Sequence, residues 1–173
     1  MAQDSILRFY RLEGADARGR TLADIWSWDA ARLEGVHDYI QWLFPLPEPS
    51  RFNPQAPILT EGAIEAFRAD AHLRQRLLRS LGTMLGFYGL TLTSGPREAP
   101  RIAPARDFAA RSRDWLHAGN HNHLRLTRIL TCLRLLGLEE HGRALYACLA
   151  DIARDHPHAV SATTLAYWER AAG

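Results

Sequence analysis

Five prolines within the thirteen residues 45–57 constrain the fold of this chain more than any other feature. Proline fixes its own φ, has no N–H to donate, and also restricts the backbone of the residue before it. The segment 45–58 is therefore predicted to be an extended, stiff and ordered loop that lays Phe52 on a neighbouring surface. An amphipathic helix predicted over residues 30–44 has to end at Pro45.

Outside this loop, hydrophobic residues recur with the period of an α-helix, and alternating strand-like runs are scarce. Residues with side-chain oxygens predict the starts of several helices. These predicted caps are Thr21, Asp29, Thr60, Asp70 and Ser161. The longest predicted helices cover 71–88, 122–136 and 139–155, with a shorter one over 106–116. Residues 94–105 contain three prolines and are predicted to be the main surface connection.

We therefore predict an all-α fold, with about seven helices and the Pro-rich loop in one compact domain over residues 1–173. A chain of 173 residues can bury a sufficient core without metal or disulfide support. Cys132 and Cys148 lie sixteen residues apart, without CxxC spacing, and are predicted to be buried thiols.

The charge pattern bears on partners and location. All 21 basic residues are arginine, 19 acidic residues are interspersed with them, and the net charge is +2. No block of like charge marks a nucleic-acid-binding segment, so no nucleic-acid partner is expected. The longest apolar run, near 81–92, is too short to span a bilayer, and the N-terminus lacks a signal-peptide core. We expect a soluble, cytoplasmic protein without a transmembrane segment.

Polar residues on the predicted helix 30–44 form the first half of a candidate site. Glu34, Asp38 and Gln41 follow i, i+4, i+7 spacing, which puts their acceptor groups on one line. His37 and Trp42 flank that line. The line can face solvent, a ligand or a neighbouring helix, and the pattern does not choose among the three.

Two arginines, Arg125 and Arg128, form the second half on the helix that begins near His121. Both share a helix sector with His121 and Cys132, and apolar residues are expected on each side of that sector. These are Ile129 and Leu136 on one side, and Leu124 and Leu135 on the other. Partly buried guanidinium groups need anionic or carbonyl partners, because an unpaired buried charge is costly. Two interpretations stay open. One is a structural ion-pair network, and the other is an anionic ligand such as a phosphate or a peptide carboxylate. The candidate carboxylates of such a network are Glu34, Asp38, Asp107 and Asp114.

Three histidines lie within residues 117–123. His117 and His121 have the i, i+4 spacing of metal ligands, but Gly119 lies between them and no second ligand pair accompanies them. We therefore predict no metal and no cofactor. Asn120 and Asn122 are expected to cap the helix, with His123 turned towards the core.

Motifs that would indicate catalysis are missing from the sequence. GxSxG, GxxxxGK[ST] and GxGxxG do not occur, so no nucleophile elbow, P-loop or dinucleotide site is predicted. The His37–Asp38 doublet is also found in all-α phosphohydrolases, but these need an upstream histidine that the chain lacks. No catalytic residue is assigned, and an enzyme is the least favoured interpretation.

Three segments in fixed order resemble the conserved region of the opioid growth factor receptor family: HDYIQWLFPLPEPSRFNPQAPILT, MLGFYG and HNHLRLTRILTCLRLLGL. The resemblance covers roughly residues 6–140, and Arg125 and Arg128 occupy the arginine positions of the family's HNHLRITRIL-like motif. It implies a helical domain and, from the animal members, binding of an enkephalin-type pentapeptide with nuclear or perinuclear, membrane-associated localisation. The lysine-free composition predicts a bacterial-type member.

The sequence favours a non-enzymatic binding domain for a small anionic, zwitterionic or peptide ligand. The candidate site lies between the two helices described above. Its residues are His37, Asp38, Gln41, Trp42, His121, His123, Arg125 and Arg128. The alternative is a structural or protein-interaction module with an internal Arg–carboxylate network. The Pro-rich loop is also a candidate homodimer contact, and peripheral membrane association is implied by the resemblance alone.

Overall fold

The structure is a computed structural model that describes residues 4–93 and 98–173. These residues form ten α-helices, one 3-10 turn and a single two-stranded sheet, which confirms the mainly helical class and exceeds the predicted helix count. The chain divides into two compact units, Met1–Thr83 and Met84–Gly173. The extent of the predicted single domain stays a prediction.

The helices up to the boundary are short, apart from the last. They are α1 (Ser5–Tyr10), α2 (Leu22–Trp26), α3 (Ala30–Gly35), α4 (Ile40–Leu43), α5 (Glu61–Ala69) and α6 (Ala71–Tyr88). The predicted caps Thr21, Asp29 and Thr60 each accept a hydrogen bond from a backbone N–H in the first turn. Thr21 and Asp24 form a complete capping box, which satisfies two of the unpaired donors at the helix start.

The predicted helix over residues 30–44 is wrong, because the backbone leaves the helical conformation in its middle. Val36 is extended, with φ −100° and ψ 131°, and helical backbone resumes only at α4. Glycine at 35 and a β-branched residue at 36 both have low helix propensity, which favours a break at this position. The expected single line of acceptors therefore does not form. Its members were Glu34, Asp38 and Gln41.

The Pro-rich loop is fixed by hydrogen bonds near both of its ends. The Leu59 N–H donates to the Leu46 carbonyl at 3.0 Å, and the Asn53 side-chain amide donates to the Asp38 carbonyl at 3.3 Å. Phe52, however, is 85% exposed, so the expectation that it packs on a neighbouring surface is wrong. A stiff loop can hold an apolar side chain in solvent, since its backbone cannot collapse to bury it.

Aromatic side chains fill the core of the first unit. The Tyr10 hydroxyl donates to the Leu43 carbonyl, and its oxygen also lies 3.2 Å from the hydroxyl oxygen of the buried Ser80. The Trp26 indole N–H donates to the same Ser80 oxygen at 2.9 Å. Three separate helices therefore meet at one satisfied polar group, which a buried hydroxyl requires.

Helix α1 ends in a turn that glycine normally occupies. The Leu12 N–H donates to the Phe9 carbonyl at 3.1 Å and the Glu13 N–H to the Arg8 carbonyl at 2.9 Å, which is the Schellman arrangement. Leu12 therefore sits in the left-handed region with φ 66°, the one such non-glycine residue in the described chain. This conformation costs a leucine about 1 kcal/mol, and its side chain remains 49% exposed.

The second unit begins with the end of α6, which crosses the boundary, and continues with a hairpin and further helices. Its elements are β1 (Leu90–Leu92), β2 (Ile102–Pro104), α7 (Phe108–Arg111), a 3-10 turn (Ser112–Asp114), α8 (Asn122–Leu135), α9 (Glu139–Asp155) and α10 (Ala162–Ala172). The three long helices pack against one another, and β2 contacts α9. The predicted helices over 122–136 and 139–155 and the Ser161 cap are confirmed.

Two expectations for the start of this unit are wrong. Part of the predicted surface connection is strand, with Leu90 opposite Pro104 and Leu92 opposite Ile102 in an antiparallel pair. Residues 94–97 of that connection lie outside the described residues. The predicted helix 106–116 is only α7 and the 3-10 turn. Gly89, at φ 72°, admits this packing, since a Cβ there would lie 2.8 Å from the Phe108 Cα.

Cys132 and Cys148 are buried free thiols, as predicted. Burial raises the pKa of both thiols, that of Cys148 to about 11. Neither forms appreciable thiolate at neutral pH, so neither is a reactive nucleophile. Among residues 4–93 and 98–173, no helix has the combined length and hydropathy that crossing a bilayer requires.

Replacing Leu12 with glycine should raise the free energy of unfolding by up to about 1 kcal/mol, because the left-handed backbone no longer meets a Cβ. Denaturant unfolding of both proteins measures the difference. Leu124→Gly is the matched control, since Leu124 is also an exposed leucine but lies inside α8. This change should lower the free energy of unfolding by about 1 kcal/mol, because glycine has low helix propensity. A stability loss in Leu12→Gly would contradict the assignment of strain.

Candidate functional site

The predicted site residues fall into two sets. His37, Asp38, Gln41 and Trp42 belong to the first unit, and His121, His123, Arg125 and Arg128 belong to the second. A shared site formed by the two sets stays a prediction.

The first unit contains a cleft of about 370 Å³, here called the Asp38 cleft. Two of the predicted residues, Asp38 and Trp42, line it, whereas His37 and Gln41 do not. Side chains that the sequence did not single out as site residues complete its lining. They include Arg18, Arg20, Phe52 and Asn53.

One guanidinium that lines the Asp38 cleft joins two carboxylates. Arg20 Nε lies 2.5 Å from Asp16 Oδ2, and its Nη1 lies 2.8 Å from Asp38 Oδ1. The Asp16 side chain is fully buried and also accepts the backbone N–H groups of Arg18 and Arg20. The planar fork of arginine suits this double contact, which a lysine ammonium could not reproduce.

The Asp38 carboxyl is held in its ionised form. Partial burial raises its pKa, but the hydrogen bond and charge of Arg20, together with the charge of Arg18, outweigh burial and leave the pKa below its ordinary value. Asp38 therefore carries a full negative charge at neutral pH. It can accept a hydrogen bond from a cationic group that enters the cleft.

Arg18 presents a positive charge beside this carboxylate. Its Nε lies 3.2 Å from Asp38 Oδ2, while the side chain is 74% exposed. The terminal nitrogens of Arg18 remain available as donors to an anion. A cationic and an anionic group thus sit side by side, with the aromatic rings of Trp42 and Phe52 on the same cleft.

Gln41 is unusual because it is 5% exposed and its Oε1 has no hydrogen-bond partner in the part of the chain that the structure describes. A buried acceptor without a partner costs roughly 1–3 kcal/mol. Gln41 therefore remains a predicted site residue because of this acceptor, although Gln41 does not line the Asp38 cleft. His37 is exposed.

Asparagines organise the start of α8 in the second unit. Asn120 Oδ1 accepts the Asn122 N–H at 2.8 Å, and its Nδ2 donates to the Asp114 carbonyl at 3.0 Å. Asn120 therefore accepts the first N–H of α8 from one residue before the N-cap position, which His121 occupies, so the predicted cap at Asn120 is displaced by one residue. Asn122 is instead the first residue of α8, fully buried, and its Oδ1 accepts from Arg125 Nη1 at 3.2 Å. His121 precedes the helix and makes no side-chain cap bond.

His123 is turned towards the core, as predicted. Its Nε2 lies 3.2 Å from the Trp115 carbonyl oxygen, and the Trp168 indole N–H donates to the His123 carbonyl at 3.1 Å. Both indole rings meet the imidazole edge to face. Burial lowers the pKa of His123, against the opposing effect of the Trp115 hydrogen bond, and His117 lowers it further. His123 is thus held neutral.

The arginine sector of α8 is only partly as predicted. Arg125 is buried and Arg128 is half-buried. Leu124, expected to flank them within an apolar sector, is 62% exposed, so that detail is wrong. Of the carboxylates considered as their partners, Asp107 pairs with Arg111 at 3.2 Å and Asp38 with Arg18 and Arg20.

Sequence reasoning missed Arg18 and Arg20, although a local signal was present. Residues 16–20 read DARGR, and an Asp followed three residues later by Gly is typical of a tight turn. Asp16 accepts the N–H groups of the turn, and Gly19 takes φ 77°. Such a turn brings two arginines to one face of the loop.

Comparisons with known proteins agree on one family. Residues 5–171 match the family described as the opioid growth factor receptor conserved region. The mouse opioid growth factor receptor is 41% identical over 139 residues, which are 78% of this chain and 21% of that protein. The human receptor is 41% identical over 114 residues, 66% and 16% of the two chains.

Mouse opioid growth factor receptor-like protein 1 is 39% identical over 114 residues, which are 66% of this chain and 24% of that protein. The chain therefore spans less than a quarter of the length of these relatives. No solved structure matches it.

Arg20→Gln should lower the free energy of unfolding by about 2–4 kcal/mol, because it leaves the buried Asp16 carboxylate without its charged partner. Arg18→Gln should cost less than about 1 kcal/mol, since an exposed ion pair contributes little. Denaturant unfolding of the two variants measures both values. Equal losses would show that the Arg20–Asp16 pair contributes no more to stability than the exposed Arg18–Asp38 pair.

Stability should fall as pH falls below about 6.5, the ordinary histidine pKa, because His123 has a lowered pKa in the fold and protonates more readily when unfolded. The loss should continue until pH passes the folded pKa. His123→Gln keeps an N–H donor but does not titrate, so it should flatten this part of the curve. Burial also lowers the pKa of His141. The free energy of unfolding is therefore measured at pH 7.5 and 5.5 in a His141→Gln background, with and without His123→Gln. An equal loss of stability between the two pH values in both proteins would contradict the role given to His123.

Proposed function

The chain belongs to the opioid growth factor receptor conserved-region family, and from that membership we propose that it is a non-enzymatic binding domain for a short zwitterionic peptide. The Asp38 cleft is the proposed site. The observation that carries the proposal is the pairing of an ionised carboxylate with an exposed guanidinium in a cleft lined by two aromatic rings.

Each part of such a guest has a partner in the Asp38 cleft. The peptide's ammonium group pairs with Asp38, and its carboxylate pairs with the terminal nitrogens of Arg18. An apolar side chain of the guest packs on Trp42 and Phe52. A cleft of about 370 Å³ is near the lower end of ligand sites, so it holds one or two residues of the peptide.

The name of the relatives supports a peptide guest. They are called receptors of an opioid growth factor, and a corresponding ligand for this chain is part of the proposal. A small anionic molecule could also bind in the Asp38 cleft, and it would pair with Arg18 alone. His121, His123, Arg125 and Arg128 stay predicted ligand residues, as do His37 and Gln41.

The second candidate function is a structural or protein-interaction module. It is favoured by one observation, that Arg18 and Arg20 already neutralise Asp38 within the first unit. In that case the charge network holds the fold and needs no guest. The predicted cytoplasmic location, peripheral membrane association, homodimer contact and bacterial-type source also stay predictions, as does the exclusion of a nucleic-acid partner.

A thermal-shift titration with an enkephalin pentapeptide tests the proposed function. A ligand at 100 times its Kd adds about 2.7 kcal/mol to stability, which for a chain of this size raises Tm by roughly 5–10 °C. Asp38→Asn should weaken binding about tenfold by removing the partner of the ammonium group. An N-acetylated pentapeptide should bind both proteins equally weakly.

Asp151→Asn is the matched control, because Asp151 forms a similar exposed pair with Arg154 on α9. It should leave peptide binding unchanged. Arg125→Ala and Arg128→Ala examine the second set of residues with the same titration. If no peptide shifts Tm, or if Asp38→Asn binds as tightly as the parent protein, the Asp38 cleft is not the site and the structural module is favoured.

A further inference from the structure

A second cleft of about 320 Å³ lies in the first unit, here called the Leu12 cleft. Its lining residues differ entirely from those of the Asp38 cleft. They are Leu12, Trp26, His72, Gln75, Arg76 and Arg79. We propose that the Leu12 cleft binds an acidic peptide segment of a partner protein, in which carboxylates flank one apolar side chain.

The arginines of this cleft are held in place by groups that leave their charge uncompensated. Arg76 Nη1 donates to the Tyr10 carbonyl at 2.8 Å, and the Arg79 guanidinium lies 4.2 Å above the Trp26 ring. Within residues 4–93 and 98–173, neither forms an ion pair with a carboxylate. A backbone carbonyl and an aromatic face orient a guanidinium without neutralising it.

Most of the donors of these two arginines remain available. A guanidinium has five N–H groups, and the Tyr10 carbonyl takes one from Arg76. The N–H groups of a guanidinium lie in its plane, whereas Trp26 contacts Arg79 through its ring face. The N–H groups of Arg79 are therefore open to acceptors that approach from the side. Carboxylates match that edge geometry.

The platform under Arg79 is rigid. The Trp26 indole N–H donates to Ser80 at 2.9 Å, and Ser80 is fully buried and also lies beside the Tyr10 hydroxyl. The cationic edge is therefore positioned before any partner arrives, which reduces the entropy lost on binding.

Leu12 provides the argument for an apolar side chain in the guest. It occupies a left-handed position where glycine would be unstrained, yet it is half exposed at the rim of the cleft. Strain at an exposed leucine indicates a use for the side chain outside the fold of the free protein. With Trp26 it offers an apolar contact next to the two arginines, which a bare inorganic anion would not use.

Fluorescence anisotropy with a labelled acetyl-Glu-Glu-Phe-Glu-Glu-amide peptide tests the proposal at low salt. Arg76→Gln combined with Arg79→Gln should weaken binding more than about tenfold, since both charged contacts are lost. Leu12→Gly should weaken it about threefold or more without lowering Tm, which separates the loss of binding from a loss of folding. The glutamine analogue of the peptide and the version with serine in place of phenylalanine should both bind weakly.

Arg170→Gln is the matched control, because Arg170 also stacks on an exposed aromatic ring, that of Tyr167 at 4.8 Å, in the other unit. It should bind the peptide as the parent protein does. In a ¹⁵N spectrum the indole signal of Trp26, assigned with Trp26→Phe, should move on binding while that of Trp168 does not. Equal binding by the double variant, equal binding of the glutamine peptide, or full competition by equimolar phosphate would each overturn the proposal.

Discussion

The fork of Arg20 is the interaction on which the candidate site depends. It joins Asp16, buried in one loop, to Asp38, in the segment between α3 and α4 where the helix breaks. Without that cation, the buried Asp16 carboxylate would lose its charged partner, and only the exposed Arg18–Asp38 pair would still link the two segments. The Pro-rich loop is tied to the same place, since Asn53 donates to the Asp38 carbonyl. The Arg20 ion pairs, the break in the helix and the Pro-rich loop therefore meet at or beside Asp38.

The two clefts of the first unit use arginine in different ways. In the Asp38 cleft, carboxylates set the position of Arg18 and Arg20 and leave the local charge nearly balanced. In the Leu12 cleft, a carbonyl and an indole ring set the positions of Arg76 and Arg79, so the positive charge persists. A balanced pair suits a zwitterion, whereas an unbalanced pair suits a polyanion. A chain without lysine can build both because its cations are all planar forks.

The sequence-based predictions were correct where the structure depends on contacts between residues close in sequence, and wrong where it depends on contacts between distant ones. Helix starts at Thr21, Asp29 and Thr60 were predicted correctly, because a cap is a contact within three residues. The break at Val36 was missed, although Gly35 and a β-branched neighbour are weak helix formers, because the amphipathic pattern continued through them. The strand at 102–104 was missed as well, since its pairing with β1 joins residues that are not close in sequence.

The sequence by itself determined the helical class, the family and the caps, because periodicity, motif order and capping chemistry are all local properties of the chain. It also singled out Asp38 and Trp42, although the continuous helix on which that choice rested breaks at Val36. Only the tertiary structure decided which cations meet Asp38, that Phe52 points into solvent, and that Leu12 and Trp26 share a cleft with Arg76 and Arg79. The physical reason is that side-chain charges and clefts are set by contacts between residues distant in sequence, which no local pattern specifies.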